Sequence, residues 1–438
     1  MAQLERKPSK ASKRASLYFT LPILSWALYD FANTIFSSNI NTIFFPFYIQ
    51  EAIGDNEVLD QIASTFISYA NAAASLLLVL FSPLYGVMID RSGKKKKYMI
   101  PFTIIAVGAT FMMGVFGNWD TGSTWGNLPV SLGLVIFFFI IAKFFYHSSL
   151  VFYDAMIGDI GKKEDLPLIS GFGVAVGYIG TLVGLAVYPI VGKDGNEDAF
   201  IPTAILFLLF SLPLFFLYKD PETSQVKQNQ TFFSGYKDII QTFREMKSYH
   251  TIFTFMIAYF FLNDAISTTI AMMAVYAGTV VGFSSSAFIL LYLVSTISSI
   301  IGSFIFGYIT RAKGARKSII YVSILLLVAL ATAVLAQDSI WFWAAGSMFG
   351  IALGSLWVTS RTFIVQLTPE EKRGQFFGLF AFSGKVSSII GPFIYGSITL
   401  IFADLGTMAS RLALGSLMIL TLIGLIIMIR MKDEVQVQ

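Results

Sequence analysis

The 438-residue chain has no cysteine and only two histidines, His147 and His250. The first absence excludes disulfides, thiol catalysis and cysteine-ligated zinc or iron–sulfur centres. The second leaves little for a histidine metal site, so neither a metal nor a cofactor is expected. Charge is also scarce. Charged residues make up 13% of the chain, against about 25% in a soluble domain. That fraction cannot supply a solvated surface over such a length, which excludes a water-soluble globular protein. No phosphate-binding glycine loop, nucleotide fold or soluble catalytic domain is present, so neither an enzyme nor an ATP-driven pump is expected. What the chain has is apolar bulk: 55% hydrophobic residues, 43 phenylalanines and a mean hydropathy of +0.71.

A helix needs about 20 mostly apolar residues to cross a bilayer. Apolar runs between charge clusters give twelve, near 17–50, 62–89, 98–117, 130–153, 167–192, 200–218, 251–278, 285–309, 318–336, 340–364, 375–402 and 408–430. They are numbered spans 1 to 12. The first run is too long for the apolar stretch of a signal peptide and lacks a small-residue cleavage site. Twelve spans put both termini on one side of a plasma or inner membrane. Of 30 Lys and Arg, 25 fall on the loops and tails of that side, Lys193 and Arg411 fall on the opposite loops, and Lys143, Arg361 and Lys385 lie in or at the ends of spans. Lys and Arg favour cytoplasmic loops, so both termini are expected in the cytoplasm. The basic clusters then set topology and do not bind nucleic acid.

Composition divides the chain into a basic arm (1–16), a six-helix bundle (17–218), a polar central loop (219–250), a second six-helix bundle (251–430) and a tail (431–438). In the loop, Phe232, Phe233, Tyr236, Ile239, Ile240 and Phe243 recur at helical spacing among Lys237, Arg244 and Lys247. This pattern fits an amphipathic helix on the membrane face, or one packed on the bundle ends.

The halves resemble each other. Gly86-Val-Met-Ile-Asp90-Arg91-Ser-Gly93-Lys94 follows span 2, and Gly307-Tyr-Ile-Thr-Arg311-Ala-Lys-Gly314 follows span 8. Asp30, Asn33 and Thr34 in span 1 parallel Asn263, Asp264 and Thr268 in span 7. Ser170-Gly171 through Gly177 parallels Phe377-Gly378 through Gly384. Such duplication marks transporters whose site lies between two similar bundles near the midplane.

The segment Gly86 to Lys96 resembles the signature loop between the second and third helices of the major facilitator superfamily. A narrower likeness rests on Trp26 with Tyr29 to Asn33, on Phe152 to Ala155 with Asp159-Ile160 and Ser170 to Gly180, and on Ser360-Arg361, Pro369, Phe376 to Gly378, Gly384-Lys385 and Gly391-Pro392. Together these are similar to the vacuole-effluxer-like facilitators, whose yeast members are linked to amino-acid export from the vacuole. The resemblance implies an all-α membrane protein of twelve helices in two pseudo-symmetric six-helix bundles. Asp154 is a departure, since Asn is more usual there. The Asp30 segment and the basic loop also resemble the glycoside–pentoside–hexuronide cation symporters.

Of 26 acids only Asp30 and Asp264 sit well inside spans. A carboxylate at a helix centre costs about 2.5–3.5 kcal/mol on insertion scales, so such a residue is expected to face a partner or a watery cavity. Burial strengthens a carboxyl group's hold on its proton, which suits a coupling group. Asp30 and Asp264 are therefore candidates to take up a coupling proton, or sodium, or to contact a cationic part of the solute; helix tying is the plainer role. Lys385, at mid-depth, is a candidate counter-charge for Asp264 or a binding point for a carboxylate. Lys143 and Arg361 are candidates for the same work, or they snorkel to the headgroups. Asn33, Asn263, Asn71 and Trp357 are candidate cavity residues, and His147 is expected to be structural. Gly86, Asp90, Arg91, Gly93, Lys94, Gly307 and Arg311 are candidates for a gate, with Asp154 adding charge near its mouth. Glycines four and three apart in span 5 (Gly173, Gly177, Gly180, Gly184) and four apart in span 10 (Gly346, Gly350, Gly354) let backbones approach closely.

The expected function is secondary transport of a small polar or amphipathic solute by alternating access, proton-coupled, with amino-acid efflux the class the resemblance implies. Its partners are then the solute, a proton or sodium, and the bilayer, with no obligatory protein partner. A sugar or glycoside cation symporter is the first alternative, against which the lack of an acid cluster in span 2 counts. A non-transporting assembly factor or lipid scramblase is the second.

Overall fold

The computed structural model describes residues 20–53, 57–119, 122–125, 128–160, 166–191, 195–220, 249–368 and 373–431, with six isolated positions between 234 and 244. The described chain is a helical membrane protein with twelve spans in two bundles. Ten helices are each long and apolar enough to cross a bilayer. They are spans 2 (Glu57–Ser92), 3 (Lys96–Gly117), 4 (Val130–Ile160), 6 (Phe200–Leu217), 7 (His250–Val281), 8 (Ser285–Lys313), 9 (Ala315–Leu335), 10 (Ser339–Leu367), 11 (Arg373–Ile401) and 12 (Thr407–Arg430). Span 5 is Leu166–Leu185, followed by the short helix Tyr188–Val191. Span 1 is composite: helix Leu21–Phe36, a π-helical stretch Ser37–Phe44, and helix Phe45–Ile53.

The π-helical stretch is a departure from a uniform first span. It is rich in Ser, Asn and Thr, whose side chains compete for backbone groups. Thr42 Oγ1 donates to the Ser37 carbonyl five residues back, and Asn39 Nδ2 holds the Gly184 carbonyl and Thr203 Oγ1, both at 3.0 Å. Spans 2, 4 and 7 run longer than their apolar cores. A two-residue hairpin, Thr124–Trp125 with Leu128–Pro129, adds a small antiparallel pair between spans 3 and 4. Of the patterned stretch Phe232 to Phe243, the residues Phe232, Phe233, Ile239 and Phe243 lie outside the described residues, while Tyr236, Lys237 and Ile240 are helical.

Within the first bundle span 1 packs on spans 5 and 6, and span 3 on spans 4 and 6; within the second, span 7 packs on spans 11 and 12, and span 10 on spans 8 and 9. The glycine rows act as the close spacing requires. A Cβ on Gly180 would meet the Phe31 backbone of span 1, one on Gly184 the Asn39 and Ser38 side chains, and those on Gly350 and Gly354 would meet Ser295 and Ser299 of span 8.

Among the described residues, the hydrogen bonds that join the bundles lie towards one side. The face carrying the basic loops is called the basic face below, and the other the far face. Hydrogen bonds that join the bundles lie between mid-depth and the far face: Thr65 to Thr399 (2.9 Å), Tyr69 to Ser397 (3.1 Å), Ser410 to Gln61 (2.9 Å), Gln50 to Thr279 (3.3 Å), Tyr188 to Ser286 (2.9 Å) and Tyr178 to Ser299 (3.3 Å). All are neutral. The larger apolar core runs through both bundles, whereas the second core, with Trp26, Tyr29, Tyr85, Phe152 and Tyr153, belongs to the first bundle alone at its basic-face end.

Candidate functional site

Towards the basic face, ionisable side chains of both bundles lie within electrostatic reach of one another. Asp30 of span 1, His147 of span 4 and Lys385 of span 11 are half-buried; Asp154 of span 4 and Arg361 of span 10 are exposed. Trp357, one turn before Arg361, is 47% exposed, and the Arg361 guanidinium lies 5.5 Å from the centre of its ring. Asp30 is within electrostatic reach of Asp154 and Arg361, and Asp154 of Lys385 and Arg361. None of these charges is joined in an ion pair. Among the described residues the one ion pair is Lys95 to Asp159, at 2.5 Å.

Lys143 does not snorkel. It is 8% exposed and turned inward, donates to Asn71 Oδ1 of span 2, and lies 5.8 Å from the centre of the Phe139 ring. Asn71 is thereby drawn in as its partner. Lys385 is not the counter-charge of Asp264. Asp264 is fully buried between spans 7 and 11, where its Oδ1 accepts from the Gly391 amide at 2.9 Å and from Thr268 Oγ1 at 3.4 Å. Its Oδ2 is buried without a hydrogen-bond partner, and no cation is within electrostatic reach. Asp264 thus meets partners inside the protein, whereas Asp30 is half-buried.

The two acids nevertheless occupy matching settings. Thr34 and Thr268 each follow by one turn, and each acid abuts a bare glycine of the fifth helix in its bundle. A Cβ on Gly177 would lie 3.0 Å from both Asp30 Oδ2 and Thr34 Oγ1, and one on Gly391 would lie 2.6 Å from Asp264 Oδ1. Gly391, and not Gly384, thus takes the role of Gly177. Gly384 faces Asn263, whose Nδ2 donates to the Gly384 carbonyl (2.9 Å) and to Ser387 Oγ (2.8 Å) while its Oδ1 accepts from Tyr259. Asn263 is a clip between spans 7 and 11. Asn33 is 2% exposed, with both side-chain polar atoms unpartnered. Trp26 and Tyr153 brace spans 1 and 4: their rings stack at 4.8 Å, and each side chain donates to the other's carbonyl.

Beyond Asp30, towards the far face, lies a cavity of about 150 Å³ between the bundles. Thr34 and Tyr178 line it from the first bundle, Tyr292 and Ser299 from the second, with Phe288 and Phe349 among its apolar walls and no charged residue. Hydropathy hid it, because its hydroxyls are scattered over spans 1, 5 and 8.

The basic loops hold helix ends. Asp220 Oδ1 accepts from the backbone amides of Lys95 and Lys96 (2.9 and 3.0 Å), capping span 3, while Lys96 Nζ donates to the Tyr218 carbonyl at the end of span 6. Tyr218 in turn donates to Asp159 at 2.7 Å, and burial together with Asp159 and Asp220 pushes its phenol above the ordinary range. In the second bundle Arg316 donates to the Met428 and Ile429 carbonyls at the end of span 12. Each basic loop therefore clips its bundle's sixth helix. Gly93 has the positive φ (63°) that the turn into span 3 requires, and Lys94 is exposed. Cβ space beside Gly307 is open. The Gly86, Asp90, Arg91 and Arg311 side chains lie outside the described residues.

The twin-bundle fold agrees with what the chain is similar to. The family model for vacuole effluxer Atg22-like proteins matches residues 22–436. The chain belongs to that family. The MFS-type transporter YxiO of Bacillus subtilis is 26% identical over 95% of this chain and 96% of its own length. Autophagy-related protein 22-1 of Aspergillus niger is 25% identical over 53% of this chain, a match to 42% of the fungal protein. Among solved structures the nucleoside transporter NupG has a TM-score of 0.73 at 13% identity, covering 94% of this chain and all of that one. The D-xylose-proton symporter has a TM-score of 0.68 at 12% identity, covering 95% and 97%. At such identities these two speak for the fold alone. The chain is a multi-pass membrane transporter of this type and not an enzyme.

Proposed function

We propose that the protein moves a small amphipathic solute across a bacterial inner or plasma membrane by alternating access, and that amino-acid export is the form this takes. The observation that supports the reading is an asymmetry among the described residues: the hydrogen bonds between the bundles are neutral and lie towards the far face, while Asp30, Asp154, Arg361 and Lys385 gather without an ion pair towards the basic face. With the basic face cytoplasmic, as the Lys and Arg distribution argues, this is the state that exchanges solute with the cytoplasm. A solute with a charged end and an apolar body matches a cleft in which Asp30, Arg361 and Lys385 lie beside an uncharged, hydroxyl-bearing cavity. The bundles, residues 17–218 and 251–430, rock about this site while the 219–250 loop joins them.

Proton coupling is assigned to Asp264. A buried carboxylate with no counter-ion is costly, and a proton removes that charge. The acid sits where spans 7 and 11 are clipped together, at the Gly391-Pro392 step where the helix ladder is weakened. Proton loss there would favour another packing of the two spans, and differential affinity of this kind is what drives a transport cycle. The glycoside symporter reading is less favoured, since span 2 carries no acid between Asp60 and Asp90.

The test is flux of a labelled amino-acid panel in proteoliposomes with and without a pH gradient. Gradient-driven flux of a panel member is expected, with Asp264→Asn keeping exchange and losing its response to the gradient. An unaltered gradient response in that variant would remove the coupling assignment.

A further inference from the structure

Spans 5 and 8 lie side by side along the seam between the bundles with little direct packing. Each is packed closely on a helix of its own bundle instead, span 5 on span 1 and span 8 on span 10. Two hydroxyl pairs bridge the seam, Tyr178 with Ser299 at 3.3 Å and Tyr188 with Ser286 at 2.9 Å. On its inner side is the uncharged cavity of about 150 Å³, to which span 5 contributes Tyr178 and Thr181 and span 8 contributes Leu291, Tyr292 and Thr296. On its outer side is an open apolar groove, with Leu182, Leu185 and Ala186 of span 5 on one wall and Leu290 and Leu293 of span 8 on the other. The two hollows are lined by neighbouring residues of the same helices: Thr181 faces the cavity and Leu182 the groove, Leu291 and Tyr292 the cavity and Leu290 and Leu293 the groove. One layer of side chains therefore separates them. Leu182 and Leu290 are exposed, within spans and towards their far-face ends, so the groove opens on lipid tails in that half of the bilayer.

An apolar cavity of about 150 Å³ is large enough to take a benzene ring. Here the walls add hydroxyl groups, from Thr34, Tyr178 and Tyr292, that can pair with one neutral polar group of a ligand. A fixed charge would be buried there without a counter-ion, which is costly. We propose that the cavity is a binding site for a neutral lipophilic molecule, a benzene-sized ring bearing one hydroxyl group, which enters from the bilayer between spans 5 and 8. Entry needs the two hydroxyl pairs to part and the leucines of the groove to swing aside. Neither helix has to leave the partner on which it is packed. The site goes beyond the transport reading, and binding at it does not depend on that reading.

The test is thiol labelling in a chain that has no cysteine of its own. Thr296→Cys places one thiol on the cavity wall, and Ser295→Cys supplies a second reporter should the first not fold. Proteoliposomes of the variant are exposed to N-phenylmaleimide, which dissolves in the bilayer, or to a sulfonated maleimide confined to water. N-phenylmaleimide is expected to label the cavity thiol at least tenfold faster than the sulfonated reagent added to either face. Ala186→Phe, which fills the groove, is expected to slow that labelling at least tenfold, while Ile297→Phe, at an exposed position of span 8 outside the groove, leaves it unchanged. Benzyl alcohol is expected to protect the thiol saturably, and benzyltrimethylammonium, with the same ring and a fixed charge, to leave it reactive. Labelling by the sulfonated reagent from the basic face at the same rate, or an unchanged rate in Ala186→Phe, overturns the lateral route. Protection by neither compound overturns the site, and equal protection by the cation overturns the neutral ligand class. Protection by benzyl alcohol in a protein that moves no amino acid would count against the proposed function and leave this site standing; amino-acid flux without protection would do the reverse.

Discussion

Asp30 and Asp264 hold matching positions in the two bundles and differ in surroundings. The first faces the cleft with no donor on its carboxylate, and the second is clamped by the Gly391 amide and Thr268. The difference rests on one backbone atom without a side chain. Gly391→Ala would place a methyl group 2.6 Å from Asp264 Oδ1. Overpacking of that kind costs about 1–3 kcal/mol, so the variant is expected to melt lower and to respond to pH like Asp264→Asn. Gly415→Ala is the matched control, because nothing lies within 4 Å of its Cβ position, and Ala in a helix interior is expected to be neutral or stabilising by about 0.5–1 kcal/mol. Melting curves of the pair in one detergent check both. If Gly391→Ala melted with Gly415→Ala, the clamp would have no energetic weight. The acid-and-threonine repeat was legible in the sequence, and so was Lys385 as an unusual mid-depth charge. The partners were not. Lipid tails are as apolar as a helix interior, so hydropathy cannot say which way a span is turned. For that reason the sequence leaves Lys385 open between pairing with Asp264 and binding a carboxylate, and Lys143 open between the same work and snorkelling.

At the level of single elements the basic loops are joints. Asp220 caps span 3 through two amides, and Lys96 and Arg316 hold the carbonyl ends of spans 6 and 12. Removing a capping carboxylate costs roughly 0.5–2 kcal/mol, so Asp220→Ala is expected to lower the melting temperature by a few degrees without changing solute affinity. A loss of affinity with unchanged melting would move Asp220 into the gate. Span positions were readable from apolar runs to within a few residues, because crossing a bilayer demands an unbroken stretch. The π-helical stretch in span 1 was not readable, since Ser, Asn and Thr occur as readily on a polar face of an ordinary helix.

For the molecule as a whole, the proposed state is open to the basic face while neutral hydrogen bonds hold the far face shut. The chain has no cysteine, so introduced cysteines report without background. Asp154→Cys in unliganded vesicles is expected to react with an impermeant maleimide from the basic face and to resist it from the far face. The most direct measurement of the central claim is solute exchange in a Thr65→Cys, Thr399→Cys double variant, whose parent hydroxyls lie 2.9 Å apart across the closed side. Oxidation is predicted to stop exchange and reduction to restore it, with labelling at position 154 from the basic face unchanged in both states. Exchange that continues at full rate across the oxidised bridge would contradict the account.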